Sequence, residues 1–107
     1  MTAVTVLRAG DGISGLVARG HAGYDEEGRD IVCAAVSTLM TTAANALESV
    51  AGIRPVVKQN ERLAQMMVAL PGDLSGQQFR DGQLVLATVL QGLTSLAREY
   101  PHYLKIT

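Results

Sequence analysis

The stretch "DIVCAAVSTLMTTAANALESVAG", Asp30 to Gly52, carries the first helix. Its apolar positions Val32, Ala35, Val36, Leu39, Ala43, Ala46, Leu47 and Val50 recur at three- and four-residue steps, which is the period of a helix over Ile31 to Val50. Asp30 is a good N-cap residue in front of it, and Gly52 suits the stop. This reading puts Cys33 in the first turn.

Outward from that helix the period changes from helical to alternating. Thr2 to Arg8 alternates around Val4 and Val6, "AGDG" at Ala9 to Gly12 is a turn, and Ile13 to Arg19 is the returning strand of a hairpin. On the other side, Ile53 to Gln59 and Arg62 to Leu70 form a second strand pair around a turn at Asn60, with Ala64, Met66, Val68 and Leu70 on one face. Pro55 lacks a ladder donor, which fits an edge or a strand start. "PGDLSG" at Pro71 to Gly76 breaks the pattern. A second helix then runs to about Tyr100 along Leu86, Val89, Leu90, Leu93, Ala97 and Tyr100, and Pro101 stops it. "YLKIT" has the alternation for a short last strand. The order ββαββα predicts an α+β fold in two layers, a mostly antiparallel sheet with two helices on one face.

No linker or repeat divides the 107 residues, so the reading is one domain over 1–107. The hydrophobic fraction of 48% supports a core, and the charge is interrupted often enough for a compact soluble protein. The net charge of −1 comes with nine scattered Lys and Arg, which leaves no basic stripe for direct nucleic-acid binding. The uncharged run Ile31 to Leu47 is interrupted by Ser, Thr and Asn and falls short of a membrane span, and "MTAVTVLRAGDG" does not read as a signal peptide. The expectation is a cytoplasmic protein. One cysteine and two histidines give neither a disulfide framework nor the paired spacing of a zinc site, so no metal and no cofactor are expected.

In "RGHAGYDEEGRDIVCAAVS", Arg19 to Ser37, His21 ends the second strand, Ala22 to Arg29 is a loop, and Cys33 follows in the helix. A first-turn cysteine lies near N–H groups without intrahelical partners and near the positive end of the helix dipole, and a histidine beside it can take the thiol proton. Without further information, the stronger reading of a lone cysteine in "IVCAAV" is a small buried apolar residue.

Gly20 with His21, and then the unbroken run Asp30, Ile31, Val32, Cys33, Ala34, Ala35, Val36 and Ser37, resemble the two motif elements of the bacterial ribosomal-processing cysteine proteases; "EYPHYL" near the end also fits. The resemblance implies an endopeptidase that removes a short N-terminal extension from a large-subunit ribosomal protein, cutting after an aromatic residue. It makes Cys33 the nucleophile and His21 the general base and acid; the oxyanion needs donors, and free backbone N–H groups around Cys33 are the natural candidates. It further implies a homodimer and a loop between histidine and cysteine that settles on substrate, with Gly20, Gly23 and Gly28 allowing the movement.

Asp30 keeps two readings, N-cap or a group that orients His21. Ser37 has two as well: it either lines the site one turn after Cys33 or bonds back to the Cys33 carbonyl. Asp25, Glu26 and Glu27 are either a solvated loop or an attractor for a basic substrate. The competing class is a non-enzymatic dimeric module that binds a ribosomal or assembly partner, with Cys33 inert in the core. A redox sensor ranks below it, because no second cysteine can resolve a sulfenic acid.

Overall fold

The computed structural model describes residues 1–20 and 27–107, without the side chains of 27–30. In chain order the elements are β1 (Thr2–Ala9), β2 (Gly12–Arg19), α1 (Glu27–Ser49), β3 (Val56–Asn60), a 3-10 turn (Glu61–Leu63), β4 (Gln65–Ala69), α2 (Gly76–Glu99) and β5 (Leu104–Ile106). The five strands form one sheet in the order β3-β4-β2-β1-β5. Every neighbouring pair is antiparallel except β1 with β5, where the chain returns through α2 and Leu104 pairs with Thr2. The expected α+β fold in two layers is therefore present, and the tail does add a strand.

Alternation along the strands builds one buried face. Val4, Ile13, Leu16, Ala18, Val68 and Leu104 point into the core, where Val32, Val36, Met40, Ala43 and Leu47 of α1 and Leu86, Val89 and Leu93 of α2 meet them. Helix α2 is tied to the start of β2 by Gln83, whose side chain accepts from the Ile13 N–H at 2.6 Å and donates to the Ile13 carbonyl at 2.7 Å. Gly82 lets that helix come close, since a Cβ there would lie 2.9 Å from a Leu70 methyl.

Helix α1 stops as expected at Gly52. With φ +66 it turns the chain so that its own N–H reaches the Glu48 carbonyl and that of Ile53 reaches Leu47, which satisfies two carbonyls of the last turn. Helix α2 starts on a capping box that the turn-like "PGDLSG" concealed: Ser75 Oγ accepts from the Gln78 N–H, and the Gln78 side chain accepts from the Ser75 N–H, both at 3.1 Å.

The start of α1 corrects the sequence reading. The helix begins at Glu27 rather than Ile31, so Asp30 is its fourth residue and not its N-cap. Cys33 lies in the second turn, not the first, and residues 27–29 belong to the helix and not to a loop. Acidic residues are favoured both as caps and throughout the first turn, so an Asp in this position does not mark which residue is the boundary.

By length and apolar composition Ile31–Ser49 would also pass for a membrane-crossing helix, contrary to the shorter uncharged run read from sequence. Its large apolar side chains Val32, Val36, Met40 and Leu47 are buried against the sheet, whereas Thr38, Thr41, Thr42 and Asn45 are exposed, which is the arrangement of a core helix.

Candidate active site

At one end of the sheet, α1 and the β3–β4 hairpin leave a cleft of 320 Å³ between them. Its α1 wall carries Cys33, Val36, Ser37 and Met40; Ala18, Gly20 and Met66 come from the strands; and Gln59, Asn60, Glu61 and Ala64 form the far rim. Cys33 is half-buried in this wall, with its side chain on the cleft, so the reading of an inert core cysteine does not hold. Its Sγ lies 3.6 Å from Thr2 Oγ1. Thr2 is only 4% exposed, and alternation with Val4 places it on the core face of β1, directly under the helix.

The far rim is held by local chemistry. Asn60 Oδ1 accepts from the Leu63 N–H at 3.2 Å, closing the 3-10 turn, and Ala64 then adopts the left-handed conformation with φ 48 and ψ 47. That conformation turns the Ala64 carbonyl toward β2, where it accepts from the Gly20 N–H at 2.9 Å. Gly20 is thus fixed at the end of its strand, immediately before His21.

Of the residues expected at the site, Gly20, Cys33 and Ser37 line one cleft. Ser37 is exposed one turn beyond Cys33. Among the described residues it makes no bond back to the Cys33 carbonyl, although Thr38, Thr42 and Ser49 make such bonds on the same helix. His21 and the acidic pair Asp25 and Glu26 fall outside the described residues, as does the part of the supposed mobile loop before Glu27. The side chain of Asp30 is outside them as well. His102 is exposed after α2 and is not among the cleft residues.

The oxyanion expectation changes with the helix start. Seven residues into α1, the Cys33 N–H has the Arg29 carbonyl as its intrahelical partner and is not an orphan donor. Sequence reasoning also missed Thr2, Gln59, Glu61 and Ala64. For Thr2 the alternation with Val4 and Val6 was a usable signal. No local pattern foretells that Ala64, rather than a glycine, takes positive φ.

The profile of the family described as cysteine protease Prp matches residues 1–105. The chain belongs to the cysteine protease Prp family. It is 30% identical over 108 residues to the ribosomal processing cysteine protease Prp of Bacillus subtilis (strain 168), covering 100% of this chain and 96% of the relative. Among solved structures it is similar to SMU.848 from Streptococcus mutans, with a TM-score of 0.86, 32% identity, and coverage of 100% of this chain and 92% of the other. It also resembles the essential ribosomal processing protease Prp from S. aureus in complex with a substrate peptide, with a TM-score of 0.85 at 22% identity over 100% and 98% of the chains; this second likeness is one of fold. As a Prp-family member the protein is a thiol protease, and its single cysteine stands in the one described cleft that joins the helix, the sheet and the motif residues.

Proposed function

We propose that the protein is an endopeptidase that removes the N-terminal extension of a large-subunit ribosomal protein, with Cys33 as nucleophile and His21 as general base and acid. The observation that carries this reading is the placement of Cys33 on an open cleft rather than in the core, in a chain whose B. subtilis relative is named a ribosomal processing protease. In support, the S. aureus Prp has been crystallised with a covalently linked product peptide.

The chemistry follows from the groups. His21 takes the thiol proton, Cys33 sulfur attacks the scissile carbonyl, and the imidazolium returns the proton to the leaving amine as the C–N bond breaks. A water deprotonated by the same imidazole then hydrolyses the thioester, releasing the acid and restoring the thiol. Because the Cys33 N–H is engaged in the helix, the oxyanion takes its donors from elsewhere around the cleft, where Asn60 and Gln65 offer amide groups. Asp30, freed from the capping role, is left with the orientation of His21 as its function. Gly20 and Ser37 shape the wall next to the thiol.

A homodimer working in the cytoplasm completes the proposal. Incubation of the protein with a precursor ribosomal protein, followed by intact-mass analysis, tests the activity, and light scattering over a concentration series tests the dimer. A precursor left intact by fresh enzyme would overturn the reading.

A further inference from the structure

Strand β3 is the edge of the sheet beside β4, and all five of its residues, Val56 to Asn60, are exposed. Its ladder has a definite phase. The Leu70 N–H bonds to the Ser14 carbonyl and the Gly20 N–H to the Ala64 carbonyl, which continues the β2–β4 register of Leu16 with Val68 and Ala18 with Met66. The backbone groups of Met66 and Val68 therefore face β2, and those of the alternate residues Gln65, Met67 and Ala69 face β3. Their partners Asn60, Lys58 and Val56 use their backbone groups on β4. The N–H and C=O of Val57 and Gln59 consequently point away from the sheet, and among the described residues no strand pairs with them.

This free edge is continuous with the cleft. Gln59 is both an outward-facing ladder position and a lining residue of the space that holds Cys33, and Asn60 and Glu61 extend the same rim. Resting on the protease reading above, we infer that an extended segment of the substrate polypeptide adds to β3 as a sixth strand, pairing with the backbone of Val57 and Gln59 while the adjoining part of the same segment enters the cleft. Main-chain pairing supplies affinity that does not depend on side chains. It also holds the peptide extended, the form in which a scissile bond is accessible to a thiol. The edge suits such a guest because no proline or bulge interrupts Val56–Asn60, and Lys58 is its only charged residue.

The phase of the ladder defines the test. Gln59→Pro deletes an outward N–H without removing any bond to β4, whereas Gln59→Ala keeps that N–H and removes only the side chain. With a precursor peptide as substrate, Gln59→Pro is expected to raise KM about fivefold, the loss of roughly one backbone hydrogen bond, and Gln59→Ala to stay near wild type. A second measurement uses the unaltered enzyme and the same peptide N-methylated at one amide at a time. Strand addition predicts that sensitivity alternates with a period of two along the segment outside the cleft. Wild-type KM in Gln59→Pro, or insensitivity to N-methylation throughout that segment, would overturn the inference. So would a Gln59→Pro variant that loses self-association with KM unchanged, since the edge would then hold a second copy. Failure of the unaltered enzyme to cut the unmodified peptide would instead strike the protease reading itself.

Discussion

Thr2 Oγ1 lies 3.6 Å from Cys33 Sγ, joining the first residue of β1 to the second turn of α1. The hydroxyl is buried, and the sulfur is its side-chain partner among the described residues. It sets the direction of the thiol on the cleft wall, and once the proton has left it can donate to the sulfur as a charge-assisted bond. Thr2→Val keeps the shape and removes the hydroxyl. It should lower kcat about fivefold, with KM little changed, for the loss of about 1 kcal/mol. Thr2→Ser should restore most of the rate. Steady-state kinetics on the three proteins decide the matter, and a Thr2→Val enzyme at full kcat would show that the contact is packing alone.

The two histidines should separate cleanly. His21 follows the anchored Gly20 in the motif, whereas His102 is exposed beyond α2 and away from the cleft lining. His21→Ala should reduce turnover by a factor of roughly 100 or more, the scale of general acid–base catalysis, and His102→Ala should leave it intact. Equal residual rates in the two variants would mean that the base has been misassigned.

Because α1 begins at Glu27, Asp30 carries no capping energy. Asn is the better N-cap and Ala the better helix former, so Asp30→Ala should be at least as stable as Asp30→Asn in thermal unfolding. If Asp30 orients His21, both variants should lose turnover alike, since both remove the charge. A variant series in which Ala is the less stable by more than about 0.5 kcal/mol would restore the cap.

Ala64 pays for its left-handed conformation with φ 48, a region in which only glycine sits without strain. Ala64→Gly should raise stability by about 0.5 kcal/mol, the relief of strain exceeding the added freedom of the unfolded chain. Ala64→Val should lower it. The neighbouring Gly20 has an ordinary φ, and a Cβ there would meet Ala64 Cβ at 3.8 Å, so Gly20→Ala should fold normally. Chemical denaturation of the three variants measures each effect.

The layers of the fold were legible because they rest on periodicity. The three- and four-residue steps from Val32 to Leu47 and the alternation around Val4 and Val68 each bury one face, and a buried face is what both patterns encode. Pro55 pointed to an edge or a strand start, and it directly precedes the edge strand β3. The start of α1 was not legible, because "DEEGRD" contains acidic residues that suit a loop, a cap and a first helical turn equally. Nor was the far side of the cleft. Thr2 reaches Cys33 only through the packing of α1 on the sheet and Ala64 reaches Gly20 only through the pairing of β2 with β4, and Ala64 takes its conformation from the Asn60 turn rather than from its own residue type.

The proposed reaction is the cutting of a ribosomal protein precursor by Cys33 on this cleft. The direct measurement is mass spectrometry of that precursor after incubation with the unaltered protein and with Cys33→Ala, both checked by circular dichroism for an unchanged fold. The N-terminal extension should be removed by the unaltered protein and left in place by Cys33→Ala. Equal processing by both proteins, or by neither, would contradict the proposed reaction.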